Sequence, residues 1–192
     1  MAIPIPSRPS GYRIGNPGAP ITVEMFLDLE CPFSKRGWNN VQKVMAAYPS
    51  DQVCWVFQLM TLGNHRQSWD ATRAVIAVAG NDANKFVDFT SHIFSRQAEF
   101  ANEAWKDKTQ TDFHNLLAEI AAESTEHKDA EQFISLLTSK DVYAKARIPA
   151  RYSTIRGVWS TPTFVINGAE ATTLSSGSSL AEWKSVIDEL LA

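Results

Sequence analysis

The residues of this chain best suited to nucleophilic or redox chemistry are its two cysteines. Cys31 is followed by Pro32, Phe33 and Ser34 and stands between an apolar run and a stretch with helical periodicity. Proline fits the first position of a helix, where its missing N–H costs nothing. A cysteine just before a helix meets unpaired N–H groups and the positive end of the helix dipole, which favour a thiolate. The sequence therefore predicts an exposed, nucleophilic Cys31; the alternative is a buried and inert thiol.

Two strands and a helix are predicted to position Cys31. Residues 21–27 are dense in β-branched and aromatic side chains, which indicates a strand that ends just before the cysteine. Apolar residues then recur at helical spacing. Residues 53–58 indicate a second, parallel strand that carries Cys54 near its start. Cys54 would then lie at the far end of the sheet, beyond the roughly 7 Å reach of a disulfide, so we interpret it as a core residue.

The predicted charges around the thiol are mixed. Lys35 and Arg36 favour a thiolate, whereas Asp28 and Glu30 oppose it. His65 follows the second strand, at the same edge of the predicted sheet as the cysteine. As an imidazolium it could lower the thiol pKa or orient a substrate, and a role as a loop or helix-capping residue is equally open.

A second segment carries the other specific motif. Thr161-Pro162 is followed by a short apolar run and by Asn167-Gly168, and Asn-Gly is the strongest short hairpin signal. With the segment 28–34, these residues resemble the DsbA-like group of thioredoxin-fold proteins. The resemblance implies an α/β thioredoxin fold with an inserted helical subdomain. Residues 1–63 and 155–192 would form the thioredoxin domain, and residues 64–154 would form the insertion.

The resemblance also implies a substrate site beside Cys31. The Thr161–Pro162 bond would be cis, and its backbone would offer hydrogen bonds to a bound chain. The residues expected at this site are Cys31 and Ser34 for catalysis, and Pro32, Phe33, Thr161, Pro162, Trp159 and His65 for substrate binding.

Three departures from the DsbA-like pattern affect the expected chemistry. Ser34 stands where these proteins have a second cysteine, so Cys31 has no resolving partner in its motif. An exchange of an original cysteine for serine would leave the same motif. Met25 stands where many relatives carry an acidic proton shuttle, and strand alternation turns Glu24 to the other face of the sheet. Ser160 stands where these proteins have a glycine before Thr-Pro, and the bulky Trp159 before it is expected to narrow the groove beside Cys31.

These features predict a monothiol thiol-disulfide oxidoreductase. The Cys31 thiolate would form a mixed disulfide with a protein or a glutathione adduct, and an external thiol such as glutathione would resolve it. Ser34 is expected to hold the thiolate by hydrogen bonds. Two alternatives stay open: a glutathione transferase or isomerase that resembles the kappa class, and a thioredoxin-fold module that binds peptides without catalysis.

Composition limits the other classes of function. A net charge of −3 and a pI near 5.8 give no basic surface for nucleic acid. The cysteines and histidines show no zinc-binding spacing, and we expect no tightly bound cofactor beyond glutathione as a co-substrate. We see no membrane span and no signal-peptide pattern, and two unpaired cysteines suit a reducing compartment, so we expect a cytoplasmic protein.

The ends of the chain complete the predicted fold. Residues 1–20 are rich in proline and glycine and are interpreted as an arm. A last strand is expected near Glu170 to Leu174. A closing helix would begin after Ser179 and turn Trp183, Ile187 and Leu190 inward.

Overall fold

The computed structural model describes residues 3–192 and contains one mixed sheet in that range. Its strands follow the order β1-β3-β2-β4-β5. They are β1 Tyr12–Ile14, β2 Ile21–Leu27, β3 Val53–Leu59, β4 Thr163–Ile166 and β5 Ala169–Glu170. Strands β2 and β3 are parallel, and the other neighbours are antiparallel. Cys54 pairs with Thr22 near the start of the parallel pair, so the two cysteines lie at opposite ends of the sheet, as predicted.

Helices cover both faces of the sheet. They are α1 Pro32–Met45, α2 Ser68–Ala79, α3 Ala83–Ser95, α4 Gln110–Ser124, α5 Ala130–Leu137, α6 Lys140–Ile155 and α7 Leu180–Leu191, with a short 3₁₀ helix at Gln97–Glu99. On one face, Trp38 of α1 packs against Phe57 and Trp183 of α7 packs against Phe164. On the other face, Tyr152 of α6 stacks on Phe26.

The insertion shares its core with the sheet. Buried side chains form a continuous apolar cluster that runs from β2 and β3 through α2 and α3 into α4 and α5. The α/β architecture and the helices between β3 and β4 agree with the prediction, whereas the boundaries at residues 64 and 154 stay a prediction. Within residues 3–192, no helix is both long enough and apolar enough to cross a membrane.

Three local predictions were wrong. The N-terminal arm contains β1, a short strand that pairs with β3 at the edge of the sheet. The last strand ends at Glu170, because Leu174 N–H donates to the Ala171 carbonyl in a turn that folds Leu174 into the core. Leu190 is 50% exposed. The residue one turn after Ile187 is Leu191, and that side chain packs on the core instead.

Candidate active site

Cys31 is the N-cap residue of α1, and Pro32 occupies the first turn of that helix. The strand β2 leads into a tight turn in which Cys31 N–H donates to the Asp28 carbonyl at 3.1 Å. This turn brings the sulfur to the end of a long helix, where unpaired N–H groups favour an anion. The predicted position of the thiol is therefore correct.

The predicted exposure of Cys31 was wrong, because its residue is only 3% exposed. The thiol donates a hydrogen bond to the Thr161 carbonyl, with 3.4 Å between sulfur and oxygen. The loop before β4 therefore covers the sulfur. We therefore expect a disulfide to reach Cys31 more easily when this contact opens.

Ser34 has a different partner from the one predicted. Its side chain is fully buried, and its hydroxyl oxygen accepts the Asp28 N–H at 3.1 Å. The hydrogen bond of the Cys31 sulfur goes to the Thr161 carbonyl. In this structure, Ser34 fixes the turn before the cysteine and makes no described hydrogen bond to the sulfur.

The Thr161–Pro162 peptide bond is cis and lies beside the cysteine. Thr161 is 7% exposed, and its hydroxyl has no hydrogen-bond partner within the described structure. Helix α1 approaches this loop closely at Gly37. A Cβ atom at Gly37 would lie 3.0 Å from Pro162 Cγ and 3.3 Å from Met25 Cε. The close packing of helix and loop therefore leaves little room for a side chain at this point.

Exposed aromatic side chains flank the two motifs. Phe33 is 59% exposed and follows the cysteine by two residues. Trp159 is 83% exposed and precedes the cis bond. Side chains so exposed contact little of the protein itself, and the groove-narrowing role of Trp159 stays a prediction.

Two buried carboxylates lie in the turn before the cysteine. Asp28 and Glu30 are 0% and 4% exposed. Asp28 Oδ1 accepts the Glu30 N–H at 2.8 Å, and Oδ2 accepts the Leu62 N–H at 2.7 Å. Burial raises the pKa of the Glu30 carboxyl above its usual value, while the Gln67 N–H and the His65 ring act in the opposite sense.

His65 is brought to this carboxylate pair. Its Nδ1 lies 3.1 Å from Asp28 Oδ2 but makes no hydrogen bond within the described structure. The ring is mostly buried. The structure therefore assigns His65 to Asp28, and its predicted role toward a substrate stays untested.

Met25 and Glu24 lie on opposite faces of the sheet, as strand alternation predicts. Met25 is fully buried below α1 and offers no proton. Glu24 Oε1 accepts a hydrogen bond from the Tyr152 hydroxyl at 3.0 Å, and Oε2 lies 3.4 Å from Arg156. The nearest acidic groups along the chain on the active-site side are therefore Asp28 and Glu30.

One polar residue at this site, Gln97, is not predicted from the sequence. Gln97, in the 3₁₀ helix of the insertion, is 5% exposed. Its Nε2 donates to the Leu29 carbonyl at 2.9 Å and to the Cys31 carbonyl at 3.0 Å. Nearby, Gln67 N–H donates to Glu30 Oε2 at 2.8 Å. The insertion thus holds the turn from several sides, and a lone glutamine far along the chain carries no local sign of this.

Neither cysteine forms a disulfide. Cys31 and Cys54 are both free. Burial raises the pKa of the Cys54 thiol. Among residues 3–192, no group of three or more histidine, cysteine, aspartate or glutamate side chains could hold a metal ion.

Comparison with protein families gives one match over almost the whole chain. A family profile described as Thioredoxin matches residues 7–189. Curated proteins named Na(+)/H(+) antiporter NhaA 1, from Mycobacterium sp. strains KMS and JLS, are 26% identical over 155 residues. This match covers 80% of the chain but only 23% of each relative, so the chain spans less than a quarter of their length.

Solved structures share the fold. A proposed protein-disulfide isomerase from Pseudomonas syringae has a TM-score of 0.77 and 22% identity, covering 92% of this chain and 97% of that one. BdbD from Bacillus subtilis has a TM-score of 0.72 and 20% identity, covering 94% and 92%. A variant of Wolbachia pipientis alpha-DsbA1 has a TM-score of 0.75 and 19% identity, covering 98% and 92%. The fold is therefore the DsbA-like thioredoxin fold with inserted helices, as predicted.

Proposed function

Because the chain belongs to this thioredoxin family, we propose that it is a thiol-disulfide oxidoreductase of the monothiol type. The observation that carries the proposal is the Cys31 thiol at the N-cap of α1, beside the Thr161–Pro162 loop, with Ser34 at the position of a second cysteine. Cys54 cannot serve as a substitute, because it is buried near the far end of the sheet.

The proposed cycle uses one enzyme thiol and two thiol-disulfide exchanges. The Cys31 thiolate attacks the glutathione sulfur of a protein–glutathione mixed disulfide, and the S–S bond breaks with the electron pair leaving on the protein sulfur. Proton uptake by that thiolate gives a reduced protein and a Cys31–glutathione disulfide. A glutathione thiolate then attacks the glutathione sulfur of that disulfide and releases the Cys31 thiolate. The net reaction converts one mixed disulfide and one glutathione thiol into a protein thiol and glutathione disulfide.

The surroundings of Cys31 support the first exchange. The sulfur lies at the N-cap of α1, where the unpaired N–H groups of a helix start interact favourably with anionic groups. When the thiol loses its proton, it also loses its hydrogen bond to the Thr161 carbonyl, which favours opening of the covering loop. The exposed rings of Phe33 and Trp159 offer apolar contacts to a polypeptide substrate.

Glutathione and a reducing compartment belong to the same proposal. A monothiol enzyme needs an external thiol for every turnover, and two unpaired cysteines suit a compartment where such a thiol is abundant. We therefore propose a cytoplasmic site of action, with disulfide-containing proteins or glutathione mixed disulfides as partners.

The test is reduction of a glutathionylated peptide by glutathione, coupled to glutathione reductase and NADPH. The native protein is expected to accelerate the reaction, and Cys31→Ser is expected to abolish that acceleration. Mass spectrometry of the quenched reaction should find glutathione on Cys31 and none on Cys54. Full turnover by Cys31→Ser would overturn the proposal.

Two other functions, a glutathione transferase and a peptide-binding module, predict different experimental results. A protein resembling kappa-class glutathione transferases would bind glutathione without Cys31 and conjugate it to a model electrophile. A peptide-binding module is favoured by the exposure of Phe33 and Trp159. Such a module would bind unfolded polypeptide and show an ordinary thiol pKa in alkylation.

A further inference from the structure

The side-chain amide of Gln97 uses both of its N–H groups on the active-site turn. One donates to the Leu29 carbonyl at 2.9 Å and the other to the Cys31 carbonyl at 3.0 Å. Gln97 is 5% exposed, and Leu29 and Cys31 are equally hidden from solvent. Water therefore has little access to replace this amide, and without it the two carbonyls would lose a buried partner.

The Cys31 carbonyl is close to the reacting atom because both belong to one residue. This oxygen also accepts the Lys35 N–H at 3.1 Å, which is the first hydrogen bond of α1. With Gln97 it has two donors, so two positive N–H ends offset its partial negative charge. A thiolate on the same residue meets less repulsion from a carbonyl that is paired in this way.

The position of Gln97 is itself fixed by the insertion. Arg96, just before it, ends α3 and pairs with carboxylates of the 3₁₀ helix and of α4: Glu99, Glu119 and Glu123. The Phe100 N–H donates to the Gln97 carbonyl at 3.2 Å, and the Phe100 ring is fully buried. The amide is therefore held by a packed and ion-paired segment before any substrate arrives.

We propose that Gln97 is a positioning residue of the active site, through which the inserted helices set the geometry and the reactivity of Cys31. This inference deepens the proposed thiol chemistry and rests on it. Gln97 does not touch the sulfur or a substrate. Its amide holds the carbonyls of Leu29 and Cys31, on either side of Glu30. The amide thereby fixes the orientation of the turn that places the thiol at the start of α1.

The other charged groups around the turn are the same in the native protein and in every Gln97 variant. Their effects on the pH profile of Cys31 therefore cancel when two profiles are compared. Charged or titratable side chains in contact with the turn or with the Gln97 segment include Asp28, Glu30, His65, Arg96 and Glu99, and Lys35 and Arg36 lie in the first turns of α1. A change in the pH profile of Cys31 on substitution of Gln97 then reports the loss of the amide donors.

The experiment compares three variants with the native protein. Gln97→Met keeps a similar length without N–H groups, and Gln97→Glu keeps the shape and replaces the donors by oxygen. The control is Gln58→Met, because Gln58 is also a buried glutamine whose Nε2 donates to a backbone carbonyl, that of Ser10, but on the other face of the sheet. The rate of Cys31 alkylation by iodoacetamide is measured from pH 5 to 10 with mass detection of the site, and urea unfolding is measured alongside.

Both Gln97 variants are expected to raise the apparent pKa of Cys31, because each removes the amide that donates to both carbonyls. The rate constant of the fully formed thiolate toward a glutathione mixed disulfide should fall about tenfold, since small misplacements of reacting groups are costly. Gln58→Met should lose stability without a change in the pH profile. A pH profile of Gln97→Met that matches the native profile, with only stability lowered, would overturn the proposal.

The alkylation readout separates this inference from the proposed function. Iodoacetamide tests the thiol directly and needs no disulfide substrate. If the native protein reduces no mixed disulfide while Gln97 variants still shift the pH profile, the proposed reaction fails and the positioning role stands. If native turnover is present and the profile is insensitive to Gln97, the positioning role fails alone.

Discussion

Cys31 and Cys54 are almost equally hidden, yet their surroundings differ in every other respect. Their residues are 3% and 1% exposed. Cys54 lies within β3, between neighbouring strands, where burial raises its pKa. Cys31 lies outside the sheet, at the start of a helix and under a loop that holds it by one sulfur–carbonyl contact. We therefore expect the reactivity of each thiol to depend on the backbone around it and on what must move to uncover it, rather than on static exposure.

The largest expected difference between the two thiols is catalytic. Cys31→Ser should lower the rate of mixed-disulfide reduction by more than about 10³-fold, because the nucleophile itself is lost. Cys54→Ser should keep most of the rate, since Cys54 contacts no part of the proposed site. Steady-state assays of both variants give the comparison. Equal losses in the two variants would contradict the assignment of Cys31 as the nucleophile.

The second difference is chemical labelling in the native state. Cys54 should react with iodoacetamide at pH 8 more than about 100-fold slower than Cys31, because β3 must open to expose it and its pKa is raised. Peptide mapping after timed alkylation measures both sites in one sample. Labelling of both cysteines at equal rates after unfolding in urea is the control. Equal alkylation rates of Cys31 and Cys54 in the folded protein would contradict the prediction that a thiol at the helix start is more reactive than one within β3.

A second thiol beside Cys31 should change the fate of the mixed disulfide. Ser34→Cys restores a Cys-x-x-Cys spacing at the helix start, so the new thiol should resolve the adduct within the molecule and shorten its lifetime at least about tenfold. Quenched-flow mass spectrometry follows the adduct. Ser34→Ala is the control, because it removes the acceptor of the Asp28 N–H without adding a thiol. A long-lived adduct in Ser34→Cys would show that the two side chains cannot meet.

The smallest expected effect concerns the charge beside Cys31. The folded pKa of Glu30 is raised, so the folded state holds its proton more tightly than the unfolded chain does. The free energy of unfolding should therefore fall as the pH rises from the ordinary glutamate value of about 4.3 through the raised value. Urea unfolding of Glu30→Gln should show a flatter pH dependence than that of the native protein. Equal slopes would mean that Glu30 titrates alike in both states.

The sequence was sufficient for features that are encoded locally. The strand β2, Pro32 at the start of α1 and the Asn167-Gly168 turn, in which both residues have positive φ, depend on neighbouring residues only. The short strand β1 is not predicted from the sequence, because three residues cannot establish an alternating pattern.

Long-range contacts at the site could not be predicted from local patterns. The burial of Cys31 depends on the Thr161 carbonyl, which lies 130 residues further along the chain. The contact of Gln97 with the Cys31 carbonyl spans 66 residues, and a glutamine in a polar stretch has no periodicity to mark it. The sequence predicts a hydrogen bond from Ser34 to the sulfur, but spacing alone does not reveal which of two nearby partners a hydroxyl contacts, and the structure shows the Asp28 N–H.

Gly37 has a consequence for how this site can vary. A Cβ atom there would lie 3.0 Å from Pro162 Cγ, so a side chain at this position would press on the proline ring. The pressure would act next to Thr161, whose carbonyl contacts the Cys31 sulfur. A substitution at Gly37 is therefore expected to couple two effects: it would weaken the contact that covers the thiol, and it would disturb the loop surface proposed to align a substrate chain.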